Sequence, residues 1–159
     1  MKKLIIYIGL TITFLVVGLI TGQFFLDISI SELNMNNVRI AWITMSGQFQ
    51  QNIFHAIAIG LLPFLYFISG KISRAHSQYQ KLSIILIILI LGFFLWQFRI
   101  YQLNLILEEF SEIDFNGGIK TVFFGEDLKL EFYLILGFII GTLLSSLTIR
   151  QININKLKE

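Results

Sequence analysis

Five polar residues lie at one depth of the chain's apolar stretches and are its main candidates for chemistry. Each of four stretches brings at least one such residue to the same end: Gln23, His55, Gln97, Arg99 and Glu131. Ionisable groups near hydrocarbon are costly and usually face a bundle interior or an oppositely charged partner. We therefore expect an Arg99–Glu131 ion pair with His55 and Gln97 as hydrogen-bonding neighbours.

This set of five residues, called the polar level below, has two interpretations. In the functional one, it forms an outward-facing site for a ligand or a proton. In the structural one, the residues anchor the helix ends at the membrane interface, and Arg99 extends its charged head to water while its stem stays in the apolar layer. The sequence alone favours anchoring.

Familiar catalytic and metal-binding patterns are missing from the sequence. It has no cysteine, and its two histidines, His55 and His76, are expected on opposite sides of a membrane. It has no H-E-x-x-H motif, and no carboxylate pair lies in the middle of an apolar stretch. The Ser69-Gly70-Lys71 segment resembles the end of a phosphate loop, but Leu65 stands where the first glycine would be required. We expect no enzyme activity, no metal, no cofactor and no nucleic-acid partner.

The composition of the chain indicates that the elements carrying these residues belong to a membrane protein. Of the 159 residues, 55% are hydrophobic and 14% are charged, and the mean hydropathy is +0.77. Soluble domains average about 45–50% apolar and about 25% charged residues. A soluble domain of this size leaves much of its chain exposed to water and could not hide so much apolar surface. The composition excludes a soluble enzyme, a nucleic-acid-binding protein and a disordered chain.

Four apolar stretches are long enough to be membrane spans: residues 4–26, 52–70, 82–98 and 130–149. About 20 helical residues cross a hydrocarbon core of about 30 Å. The third stretch is shorter, and we expect its helix to continue outward beyond residue 98. The first stretch exceeds the apolar run of a cleaved signal peptide, so we expect it to be retained. The prediction is an all-α integral membrane protein, with residues 1–159 forming a single four-transmembrane-helix bundle.

The distribution of basic residues predicts the orientation. Eight basic residues flank the spans on one side: Lys2, Lys3, Lys71, Arg74, Lys81, Arg150, Lys156 and Lys158. Four lie on the other: Arg39, Arg99, Lys120 and Lys129. Lysine and arginine favour the cytoplasmic side, so both termini are predicted to be cytoplasmic. A bias towards Asn, Ile, Lys and Phe suggests an AT-rich bacterial genome, hence the bacterial inner membrane.

Two stretches carry small residues at four-residue spacing, which places them on one helix face. Span one has Gly18 and Gly22, and span four has Gly137, Gly141 and Ser145. Such faces let two helix backbones approach closely. They predict packing inside the monomer or, alternatively, an oligomer interface.

Pro63 lies inside the second span. Proline cannot donate a backbone hydrogen bond and clashes with the preceding turn, so a kink is predicted. Such a kink is either a structural bend or a functional hinge, and bends are routine in membrane helices.

The two extracytoplasmic loops are predicted to be small. Asn116-Gly117 between alternating segments of the second loop is typical of a β-hairpin. Residues 39–49 of the first loop mix apolar and polar side chains and are consistent with a short interfacial helix.

The functional hypothesis that follows is a non-enzymatic, multi-pass inner-membrane subunit. It would act through helix–helix oligomerisation or as an accessory subunit of a larger membrane complex, with the lipid bilayer, copies of itself or a larger membrane protein as partners. The alternative is a small homo-oligomeric channel or transporter that uses the polar level as an extracytoplasmic vestibule. A membrane enzyme is the least supported class.

Overall fold

A computed structural model of the chain describes residues 2–33, 38–42, 45–74, 77–111 and 121–155. Most of these residues belong to four helices: α1 (Lys2–Ser31), α2 (Met45–Ser73), α3 (Gln78–Ser111) and α4 (Leu130–Asn155). Two short strands, β1 (Val38–Ala41) and β2 (Thr121–Phe124), and a 3₁₀ turn (Gly125–Asp127) lie between them.

All four helices are long and apolar enough to cross a membrane, with qualifying segments of 27, 27, 32 and 25 residues. This architecture is that of a multi-pass, helical membrane protein, as the sequence predicted. Each helix includes residues beyond its apolar stretch. The third helix ends at Ser111, so it continues beyond residue 98 as expected.

The helices pack in the order α1, α2, α4, α3, so that α2 and α4 form the middle of the bundle. Helices α1 and α3 meet towards one end, where buried Trp96 donates its Nε1–H to Ser29 Oγ at 3.0 Å. We call this end, with both strands and the starts of α2 and α4, the strand end. The opposite end, with the starts of α1 and α3, is the terminal end.

The buried side of α3 shows how the bundle closes. Its buried residues recur every three or four positions: Ile84, Ile88, Gly92, Trp96, Ile100, Leu103 and Leu107. Apolar residues between them, such as Ile90 and Phe94, are exposed. A helix that is apolar on every side but buried on one is suited to contact protein on that side and lipid on the others.

The small-residue faces are used inside the chain. A Cβ added at Gly18 would lie 2.6 Å from Ala56 Cα of α2, and one at Gly22 would lie 2.9 Å from Asn52 Oδ1. On α4, a Cβ at Gly141 would lie 2.7 Å from Ile88 Cα of α3.

The same α4 face extends in both directions from Gly141. Gly137 packs against Gly92 of α3. A Cβ added at Gly137 would lie 2.6 Å from the Gly92 Cα. Ser145 Oγ lies 3.0 Å from Ser69 Oγ of α2. Of the two uses predicted for these faces, the structure places the residues in contacts within the monomer.

The strands pair with each other in parallel, with Val38 opposite Thr121 and Ala41 opposite Phe124. One arm of the predicted hairpin, β2, pairs with β1 of the first loop, and the other arm, residues 112–115, lies outside the described residues. Its turn residues, Asn116 and Gly117, lie outside the described residues. Alternating polarity identifies a strand but does not say which other strand it will join.

The segment of residues 39–49, predicted as a short interfacial helix, is divided in the structure between a strand and the start of a helix. Residues up to Ala41 belong to β1, and α2 begins at Met45. The β1 part of this segment forms its backbone hydrogen bonds with the parallel strand β2 rather than within a helix.

Helix α2 continues through Pro63, whose side chain is buried. Pro63 lies on the wall of an apolar groove of about 410 Å³ in the terminal half of the bundle, between α1, α2 and α3. The bend and its role as a hinge stay predictions.

Candidate functional site

The polar level is distributed over separate contacts at the strand end. Gln23 is exposed, donates from Nε2 to Asp27 Oδ1 at 3.0 Å and accepts from Gln48 Nε2 at 2.8 Å. Gln97 donates from Nε2 to Oε2 of Glu32, the residue that follows α1, at 3.0 Å. Gln23 thus connects α1 to α2, and Gln97 connects α3 to the residue after α1.

His55 lies in the contact between α1 and α2. Its ring is buried and stacks on Phe25 with 4.4 Å between ring centroids. Its Nε2 lies 3.3 Å from Thr21 Oγ1, whereas its Nδ1 has no hydrogen-bond partner among the described residues. His55 therefore packs between helices rather than beside Arg99 or Glu131.

Arg99 connects α3 to the segment before α4. Its Nε donates to the Leu128 carbonyl at 2.9 Å and its Nη2 to the Asp127 carbonyl at 2.8 Å. The guanidinium carbon also lies 5.2 Å from the centre of the Tyr133 ring, within the range of a cation–π contact. The planar guanidinium is suited to this paired donation.

Glu131 lies in the first turn of α4 and is 3% exposed. Within the described ranges, no basic side chain lies within 4 Å of its carboxylate, so the structure does not bring Arg99 and Glu131 together as the predicted ion pair. The sequence places both residues at one depth, but depth does not determine the direction in which each side chain points from its helix. Arg99 reaches the carbonyls before α4, and Glu131 lines a cavity next to α2.

We expect a charge exchange between these two residues to fail as a rescue. Arg99→Glu should lower the melting temperature because a carboxylate cannot donate to the two carbonyls. Adding Glu131→Arg should lower it further, since a guanidinium must then enter the Glu131 cavity. Thermal unfolding of both single variants and the double variant in detergent checks this. Recovery of the wild-type melting temperature in the double variant would show that the ion pair exists.

The cavity beside Glu131 is the candidate site. It has a volume of about 720 Å³, lies between α2 and α4 at the strand end, and is lined in part by Gln51, Phe54, Lys129, Glu131 and Phe132. Below we call it the strand-end cavity. Two of its polar side chains, Gln51 and Glu131, are themselves buried.

Gln51 was missed by the sequence analysis. Its Nε2 donates to the Gly125 carbonyl at 2.6 Å, and its buried Oε1 has no partner in the described part of the chain. The sequence contained a usable signal: Gln51 precedes His55 by one helical turn and so lies at the same end of the span. The strand-end cavity offers hydrogen-bond acceptors from two helices.

Comparisons with protein-family models, curated proteins and solved structures find no match. Among the residues that the structure describes, no group of three or more His, Cys, Asp or Glu side chains could hold a metal ion.

Proposed function

We propose that the chain is a non-catalytic, multi-pass subunit of the bacterial inner membrane that docks α1 against a helix of another membrane protein. That protein is either a second copy or a larger complex. The observation that carries this proposal is the free side of α1, which no other described part of the chain covers.

Helix α1 is attached to the bundle along one stripe. Buried residues make up 11% of its most apolar window, against 44% for α4. Gly18, Gly22 and Leu26 lie on the buried stripe. The proposed contact surface is thus not the glycine pair that faces α2.

The opposite side of α1 combines small and branched residues. A Cβ at Gly9 would meet nothing within 4 Å, and Thr13 is exposed one turn later. Thr13 donates its hydroxyl to the Gly9 carbonyl at 3.0 Å, so this polar group is already satisfied within the helix. Val16 and Ile20 continue the same side, at 51% and 74% exposure. We call these four residues the free face; small residues four apart suit close packing of another helix.

The orientation in this proposal has both termini in the cytoplasm. Lys71, Arg74 and Arg150 line a cavity of about 460 Å³ at the terminal end. Basic residues concentrated next to span ends favour the cytoplasmic side. The basic terminal end supports the assignment without deciding it; accessibility of single cysteines in intact cells measures it directly.

Gly9→Leu tests the docking surface. We expect it to reduce the amount of higher-order complex in native mass spectrometry by about tenfold, or about 1.4 kcal/mol, because the new side chain holds the partner helix away. The monomer should keep its melting temperature since the site is open.

Gly70→Leu is the matched control, because a Cβ at Gly70 also meets nothing within 4 Å but lies on α2. It should leave the complex intact. If Gly9→Leu and wild type form the same complexes in the same amounts, α1 does not dock through its free face.

A small homo-oligomeric channel or transporter is the second candidate, and the strand-end cavity favours it. In this role the cavity would be a vestibule, and several copies would have to enclose the pathway. Solute or ion flux into liposomes that contain the purified protein tests this function. Flux that Glu131→Gln removes would support it over the docking subunit.

A further inference from the structure

The strand-end cavity contains a buried carboxylate that forms no ion pair with another described residue. Glu131 is 3% exposed, and no lysine, arginine or histidine of the described chain comes within 4 Å of its carboxylate. Burying an ionised group without a partner is strongly unfavourable, whereas a charged partner with good hydrogen bonds offsets much of that cost. The arrangement is suited to a cationic ligand.

Gln51 adds a second acceptor on the other side of the cavity. It is 6% exposed, and its Nε2 bond to the Gly125 carbonyl fixes the orientation of the amide. The buried Oε1 of the same amide has no hydrogen-bond partner among the described residues, and Gln51 lines the cavity. Two buried acceptors from different helices match a group with several N–H donors.

The two acceptor groups, Glu131 and Gln51, fit an ammonium group better than a metal ion. Calcium takes six to eight oxygen ligands, and magnesium requires a near-ideal octahedron of ligands. The buried polar lining residues, Glu131 and Gln51, supply only one carboxylate and one amide oxygen. Phe54 and Phe132 also line the cavity, and aromatic faces attract alkylammonium groups. A primary ammonium can donate to Glu131 and Gln51 while its carbon chain contacts the rings.

Lys129 supplies the opposite charge at the rim. It is exposed, lines the same cavity and immediately precedes α4, with its backbone in the left-handed region at φ 52°. The cavity thus has a buried negative group and a rim positive group, which complements a zwitterion with its ammonium inward and its anion outward. Because α4 begins here, the cavity lies where lipid headgroups would meet the bundle.

We propose that the strand-end cavity binds a phosphoethanolamine group, with its ammonium on Glu131 and Gln51 and its phosphate at Lys129. The group comes either from the headgroup of a phospholipid or from a free amine phosphate. This site requires neither the partner helix at α1 nor transport.

The test compares lipids that differ in the headgroup nitrogen. Purified full-length protein is mixed with phosphatidylethanolamine, phosphatidylcholine or phosphatidylglycerol of the same acyl chains, and retained lipid is read by native mass spectrometry. We expect phosphatidylethanolamine to be retained at least tenfold more than the other two. Phosphatidylcholine has no N–H donor, and phosphatidylglycerol has no cation.

Variants assign the two charges. Glu131→Gln should abolish the preference for phosphatidylethanolamine, whereas Asp27→Asn, which removes a carboxylate at the same end outside the cavity lining, should keep it. Lys129→Gln should weaken retention of the lipid but leave binding of ethanolamine unchanged, because ethanolamine has no phosphate.

Soluble phosphoethanolamine distinguishes the sources. Competition with the lipid at equal concentration would identify the free compound as ligand, and absence of competition would identify the lipid. Equal retention of phosphatidylethanolamine and phosphatidylcholine by wild-type protein, with no binding of soluble phosphoethanolamine, overturns the proposal. That comparison uses the unmodified chain and decides even if a variant fails to fold.

Discussion

Gly137→Leu is expected to separate α3 from α4 and to prevent recovery of folded protein. A Cβ at this position would lie 2.5 Å from the Leu91 carbonyl oxygen and 2.6 Å from Gly92 Cα. Both atoms belong to the backbone, so no side-chain rotation relieves the overlap. Even Gly137→Ala should destabilise the bundle by about 1–3 kcal/mol, the usual cost of overpacking.

Size-exclusion profiles and thermal unfolding in mild detergent measure this effect. Gly141→Leu should act in the same direction, because its added Cβ would lie 2.7 Å from Ile88 Cα. Gly70→Leu is the control for leucine at an open position and should behave as wild type. A Gly137→Leu protein with the wild-type profile and melting temperature would show that the two helices are not in close contact.

Arg99→Met is expected to have the second-largest effect. It removes the donors to the carbonyls of Asp127 and Leu128 and the contact with the Tyr133 ring. Hydrogen bonds from charged donors contribute about 1.5–3 kcal/mol, and we expect a loss in this range. The loss should be local: the 3₁₀ turn and the first turn of α4 should detach from α3.

Hydrogen–deuterium exchange measures that detachment. Amides from residue 125 to residue 133 should exchange faster in Arg99→Met, while those in the middle of α3 keep their protection. Arg99→Lys should lie between wild type and Arg99→Met because an ammonium lacks the planar fork of the guanidinium. Lys81→Met, an exposed change on the same helix at the terminal end, is the control. Unchanged exchange in Arg99→Met would mean that its two carbonyl contacts do not hold the turn.

The helices could be predicted because a membrane imposes a length and a composition that are visible in one sequence. Glycine spacing likewise predicted which faces of α1 and α4 would be closely packed. It could not predict their partners: Gly18 meets Ala56, and Gly137 meets Gly92, a residue that belongs to no spaced motif. Partner choice depends on how α2 and α4 come together in the middle of the bundle, and this is a property of all four helices.

The sequence predicted the depth of the polar-level residues but not their hydrogen-bond partners. Arg99 and Glu131 have opposite charges and similar depth, yet Arg99 contacts backbone carbonyls, a class of partner that has no sequence signature. Gln51 was missed because an amide at the edge of an apolar stretch resembles any other interfacial residue. Its significance arises from the bond to Gly125, which the sequence separates from it by 74 positions.

The parallel pairing of β1 with β2 has a consequence for the order in which the protein is made. Helices α1 and α2 can associate as soon as both are inserted, since their contact is local along the chain. Strand β1 can pair only after α3 has been inserted and β2 has been synthesised. We therefore expect the nascent chain to form two helical hairpins first, which strand pairing and the α2–α4 contact then join. A gene divided between α2 and α3 would yield two pieces that assemble across these same surfaces.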